Sequence, residues 1–227
     1  MAGTDFRAAR EARGWTQQDL ARRLGVSQTL VSLWEHGTRA VPVRRVAQLR
    51  KLGVQLPPVA LPLRGEPAPA KVDYARELAN LGYPGLAHYK TGSPKWNPAR
   101  LLVLALAEDQ LDRRLAEALP WLVFRFPDMD WEWVCREAKL RDLQNRLGFT
   151  LSLAQALAAR WQSPEAAQRL AQVAQELRRS RLAREDSYCN EHMTESERRW
   201  LRRRRPQSAA AWNLLSDLRP EHLTHAG

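Results

Sequence analysis

The chain has 227 residues, a formal net charge of +11 at pH 7 and 44% hydrophobic residues. It is long enough for two compact modules and apolar enough to give each a core. Its longest apolar run, LLVLALA at 101–107, is too short to span a membrane, and its two cysteines, Cys135 and Cys189, form no metal-ligand pattern. No secretory pattern precedes the first element, so a soluble cytoplasmic protein without a cofactor is the expectation.

The charge is uneven. Residues 1–54 carry 10 basic and 4 acidic side chains, a balance of +6. Residues 72–177 carry 13 of each, and residues 178–205 carry 10 Arg against 5 acids. Two basic ends around a neutral middle suit a polyanionic partner, because Lys and Arg neutralise phosphates and release counterions.

In chain order, residues 6–13 fit a first helix that Gly14 interrupts. Thr16 caps the second, with Asp19 at capping-box spacing. Leu20, Ala21 and Leu24 give that helix one apolar face, and Ala21 is small where another helix must cross closely. Gly25 supplies a tight turn with positive φ. Ser27 caps a third helix, in which Val31 and Trp34 face inward above Val26 while Gln28, Thr29, Ser32 and Leu33 occupy the opposite or flanking surface. Gly37 stops it. Val43, Val46, Leu49 and Leu52 form the inner stripe of a fourth helix closed by Gly53. A helix, a short turn and a second helix can project polar side chains into the DNA major groove. The short loops leave no room for an enzyme pocket, and no phosphate-binding glycine loop or clustered acid–base set occurs here.

The segment GWTQQDLARRLGVSQTLVSLWEHG resembles the helix-turn-helix of Cro-type regulators, the XRE family, over residues 6–54. The resemblance implies a lambda-repressor-like domain that binds double-stranded DNA sequence-specifically, usually as a homodimer on a two-fold operator. It implies that Gln17 touches the phosphate backbone and supports the reading helix. Gln28 and Thr29 match the start of the recognition helix, and Ser32 and Leu33 match later base-facing positions. Arg10 and Glu35 match a pair that links the first and third helices in some members. Trp34 replaces the smaller aliphatic residue common there, a change of packing. Leu33 stands where many members have a polar side chain; it can meet a thymine methyl or a neighbouring helix. Arg39, Arg44 and Arg45 follow the recognition helix and could clamp the backbone.

Residues 55–71 read as a Pro-rich linker, with five prolines that break helix and stiffen the connection. Its Val59, Leu61 and Leu63 could form an extended arm against the body or a partner subunit. The whole is expected to be all-α: a helix-turn-helix domain over 1–54, the linker, a helical dimerisation or regulatory domain over 72–185, and a basic C-terminal extension over 186–227. In the second domain, helices are expected from 72 to about 82, after Asn97-Pro98, over 101–107 and 111–126, from Asp130 to a stop at Gly148, and over 152–161 and 164–185. Trp121, Phe124, Phe126, Trp131, Trp133, Phe149 and Trp161 fit a core or subunit interface. His88, Asp128 and Asp130 suit surface and capping roles rather than catalysis, so no enzyme is expected. Cys135 is expected buried, whereas Cys189, in a polar segment, could be accessible. The block LPWLVFRFPDMDWEWVCREAKLRDLQNRLGF resembles the second domain of uncharacterised bacterial XRE regulators encoded beside nucleotidyltransferase-like toxins. That resemblance implies an antitoxin-like partner of a toxin, autoregulating a defence operon. In the tail, ERRWLRRRRPQ places Arg202, Arg203, Arg204 and Arg205 where they could meet phosphates, dock on an acidic partner, or form a solvated face. The favoured reading is a transcriptional regulator, most simply a repressor.

Overall fold

The computed structural model describes residues 2–36, 39, 41–54, 56, 58–63 and 72–223, and only the backbone of residues 2–6, 43, 44, 47 and 50. It is 62% helix and 3% strand, an all-α fold in class. The chain divides into two compact units: residues 1–72 with 94–97, and residues 73–93 with 98–227.

The first unit is built from α1 (Ala2–Glu11), α2 (Gln17–Leu24), α3 (Gln28–Glu35) and α4 (Val43–Lys51). Thr16 caps α2: its side chain accepts from the Asp19 amide while the Asp19 carboxylate accepts from the Thr16 amide, the expected capping box. Gly25 ends α2 at φ 62°, a left-handed position that a side chain would strain. Ser27 caps α3 by accepting from the Leu30 amide, and α3 ends at Glu35 with His36 as its C-cap. The expected stop at Gly37 lies outside the described residues, as does the side chain of Val43. Leu20, Ala21, Leu24, Val31, Trp34, Val46 and Leu49 are buried together, so the inner stripes fall where their helical spacing puts them; Val26 and Leu52 pack at the edge.

Part of the Pro-rich segment joins this core. Pro58–Ala60 forms a single 3-10 turn, and Leu61 is buried among the helices. Val59 and Leu63 stay half-buried. The Asn97 side-chain amide donates to the carbonyls of Val59 at 2.9 Å and Leu61 at 2.7 Å. Residues 64–71 lie outside the described part.

The second unit comprises α5 (Tyr74–Leu81), α6 (Pro98–Leu106), α7 (Arg113–Arg125), α8 (Trp131–Leu140), α9 (Gln144–Arg160), α10 (Pro164–Arg178), α11 (Glu195–Arg204) and α12 (Gln207–Ala211). Two short parallel strands, β1 (Asp186–Ser187) and β2 (Leu214–Leu215), pair beside them. The central element is α9, packed against α7, α8 and α10, with Leu147, Phe149, Leu151, Leu153, Ala154 and Leu157 fully buried. Asp130 caps α8 as expected, accepting from the Trp133 amide at 2.9 Å.

Gly148 does not close a helix. The break comes earlier, at Arg141 and Asp142, the latter with φ 58°, and Gly148 lies inside α9. Its missing side chain makes room for the Trp212 ring, which a Cβ would strike. The helix after Ser163 ends at Arg178 rather than at 185. Residues 186–223 also depart from an appended tail: β1 and β2 pair, and Trp212, Leu214 and Cys189 are fully buried in the second unit.

Arg146 secures this return. Its guanidinium donates to the carbonyls of Leu106 and Glu108, pairs two-pronged with Asp186 at 3.1 Å, and reaches Glu191. A buried charge with this many partners is tolerated because each donor has an acceptor. Among the aromatics, Trp121, Trp133 and Phe149 are buried, Phe124, Phe126 and Trp131 half-buried, and Trp161 exposed.

Candidate nucleic-acid interface

α2 and α3 pack through Leu20, Ala21, Leu24, Val31 and Trp34, which leaves the other face of α3 to solvent. Gln28 and Thr29 are exposed there, and Ser32 and Leu33 half-buried. The four positions are two i, i+4 pairs on adjacent rows of one helix. They offer an amide, two hydroxyls and a methyl-bearing side chain, the groups that hydrogen-bond base edges or touch a thymine methyl. His36 extends this surface: its Nδ1 lies 2.7 Å from the Ser32 carbonyl and 3.3 Å from Ser32 Oγ. Nothing in the periodicity singled it out, because its role follows from the end of the helix.

A buried polar set fixes α3 against the rest of the unit. Arg10 Nε donates to Glu35 Oε1 at 2.6 Å, with the two side chains only 8% and 2% exposed. Another Arg10 nitrogen donates to the Trp15 carbonyl. The bond to Glu35 raises the Arg10 pKa further, against the cost of its burial. Gln17 Nε2 donates to the second Glu35 oxygen at 2.7 Å. One N–H of the Gln17 amide is thereby spent on holding the recognition helix, and the half-buried side chain keeps its second N–H for a phosphate oxygen.

The other sequence candidates divide. Arg39 is exposed beyond α3, and its backbone amide donates to the Leu33 carbonyl. The side chain of Arg44 lies outside the described residues. Arg45 Nη1 donates to the Leu24 carbonyl at 2.7 Å and to Gln48 at 2.6 Å. It satisfies an orphan carbonyl at the end of α2, a cap that spacing along the chain cannot show. In the tail, Arg202 and Arg205 both bond Glu185, while Arg203 and Arg204 are exposed.

The cysteines offer little chemistry. Cys189 is fully buried, not accessible, with its Sγ near the Ala105 carbonyl; burial pushes its thiol up to about 12. Burial raises the half-buried Cys135 as well. Among the described residues, no group of three or more His, Cys, Asp or Glu could hold a metal ion, and no helix is long and apolar enough to cross a membrane. His88 is exposed beside Tyr89, 4.2 Å between ring centres with the rings tilted by 43°.

The class follows from a capped, two-helix unit with a polar outer face on its second member. Residues 6–52 match the family model described as Helix-turn-helix, of the XRE type. The match covers about a fifth of the chain and defines a DNA-binding transcriptional regulator. Comparison with curated proteins and with solved structures found no match.

Proposed function

We propose that this regulator reads a specific operator through the outer face of α3 and acts as a repressor, as a homodimer on a palindromic site. Gln28 supplies a bidentate amide for adenine N6 and N7, Thr29 and Ser32 supply hydroxyls to base edges or phosphates, and Leu33 meets a thymine methyl. Arg39 and Arg44, with the second amide N–H of Gln17 and the Arg45 donors not spent on the α2 cap, hold phosphates and set the register. The observation that carries the reading is the solvent-facing row Gln28, Thr29, Ser32 and Leu33 on a helix immobilised by the buried Arg10–Glu35–Gln17 set. A helix held this way presents its side chains from a backbone that needs no further ordering on binding.

Selection of bound genomic fragments by the purified protein, sequenced at near-physiological salt, tests it. A shared palindromic sequence is the expected result; uniform weak binding to all fragments contradicts base reading. On the selected site, Gln28→Ala should cost about 1–3 kcal/mol and leave binding to a scrambled duplex unchanged. Equal loss on both duplexes removes Gln28 from base reading.

A further inference from the structure

The arginines of the C-terminal segment are not equivalent. Arg202 bonds Glu185 through Nε at 3.0 Å, and Arg205 bonds the same carboxylate at 3.3 Å and the Leu214 carbonyl. Arg202 holds the Glu185 carboxyl below the usual carboxylate range. Arg198 donates to the Glu191 carbonyl. These three fasten α11 to the segment before it and to β2.

Arg199, Arg203 and Arg204 differ. They stand at i, i+4 and i+5 on the outer side of α11, all exposed, and none has a carboxylate partner among the described residues. Arg199 reaches only the Glu195 carbonyl, at 3.5 Å. Trp200 lies among them, 48% exposed, with the Arg204 guanidinium 5.2 Å from its ring centre. A fourth guanidinium arrives from elsewhere in the chain: Arg219, exposed, donates to the Arg204 carbonyl at 3.2 Å and has no carboxylate partner among the described residues.

We propose that Arg199, Arg203, Arg204 and Arg219, around Trp200, form a second DNA-binding surface that takes the phosphate backbone of duplex DNA without reading its sequence. The partner follows from charge. Four guanidinium groups gather on one surface without neutralisation, an arrangement whose self-repulsion a row of phosphates relieves. Fork-shaped donors match phosphate oxygens, whereas exposed carbonyls satisfy only single N–H groups. The indole packed against Arg204 limits that side chain's freedom, so less entropy is lost when it meets a phosphate. A duplex rather than a single strand is the occupant, because one exposed ring is no stacking track for successive bases and the chain already carries a duplex-binding domain. The surface deepens the DNA-binding reading but does not depend on base recognition by α3.

The test is the salt dependence of full-length protein binding to a scrambled duplex and to the selected operator, by fluorescence anisotropy from 50 to about 200 mM salt. Each phosphate contact contributes about 0.9 to the slope of log affinity against log salt. Arg199→Gln with Arg203→Gln and Arg204→Gln should lower that slope by about 2–3 on both duplexes and weaken both by similar factors, leaving the preference for the operator intact. Arg203→Glu alone, an exposed single change, should weaken both duplexes in the same direction and guards against a misfolded triple variant. Arg202→Gln should lower stability and leave the slope almost unchanged. Unchanged slope and affinity in the triple and Arg203→Glu variants overturn the surface, leave the face to an acidic protein partner, and do not touch the α3 reading. Loss of operator preference alone also overturns it. A parent protein that binds neither duplex overturns both readings.

Discussion

Glu35 joins two elements to the recognition helix through one buried carboxylate. It is almost fully buried, accepts from Arg10 and Gln17, and sits at the last position of the helix that presents Gln28 and Thr29. Removing it strands the Arg10 guanidinium at 8% exposure with its Trp15 carbonyl and a shared contact to Glu11. Breaking a buried pair by deleting one partner costs about 3–5 kcal/mol, mostly the penalty of the charge left behind. Glu35→Ala should therefore lower the thermal midpoint of the first unit and increase amide exchange in α2 and α3. Arg10→Met with Glu35→Leu should recover part of the loss, because neither charge then remains. If Glu35→Ala melts and exchanges like the parent, the pair does not hold α3. The exposed Arg7–Glu11 pair, by contrast, should contribute almost nothing measurable.

At the scale of elements, α9 depends on a glycine in its interior. Gly costs about 1 kcal/mol relative to Ala in a helix, so an interior glycine needs a local reason. Here the reason is Trp212, which is fully buried, covers the Gly148 backbone and donates from its indole to Ser152 Oγ at 3.0 Å. Gly148→Ala gains helix propensity but drives a methyl into the ring; overpacking of this kind costs about 1–3 kcal/mol. Equilibrium denaturation should show a net loss, and Gly148→Ala with Trp212→Leu should be less destabilised than the two single losses added together. A stabilised Gly148→Ala would mean that the ring moves aside freely. The same contact explains what the sequence could and could not reveal. Thr16, Asp19, Gly25 and Ser27 act on backbone within three residues, so their caps and turn were legible. Arg10 and Glu35 were legible only through family resemblance, since 25 residues separate them. Gly148 looked like a helix stop because its partner lies 64 positions away, and a lone glycine reads the same at a terminus as under a ring. Cys189 looked accessible for the same reason: its neighbours are polar along the chain, but in space it meets Ala105. The outer face of α3 was readable from its helical period, whereas the division of the tail arginines into paired and free depended on Glu185, 17 and 20 residues upstream of Arg202 and Arg205.

For the whole molecule, the proposed two-fold assembly has consequences that single domains lack. The exposed large hydrophobics among the described residues, Tyr89, Leu140, Trp161 and Trp200, all belong to the second unit, so apolar self-association is to be sought there. A homodimer carries two copies of α3, and two-fold operators place their half-sites one helical turn, about 34–36 Å, apart or at multiples of it. Once one half-site is filled, the second binding event is intramolecular, and its effective concentration multiplies affinity by about 10²–10⁴. The full chain should therefore bind the intact operator with two protomers per duplex. A duplex with one half scrambled should bind at least about a hundred-fold more weakly, and inserting five base pairs between the halves, which turns them to opposite sides of the duplex, should cost nearly as much. Sedimentation of the complex gives the stoichiometry, and titrations of the three duplexes give the ratios. Sequential filling of each half by one protomer, with equal affinity for intact and half-scrambled duplexes, would leave base reading by α3 intact while removing the dimer. Repression would then rest on a monomer covering half a site.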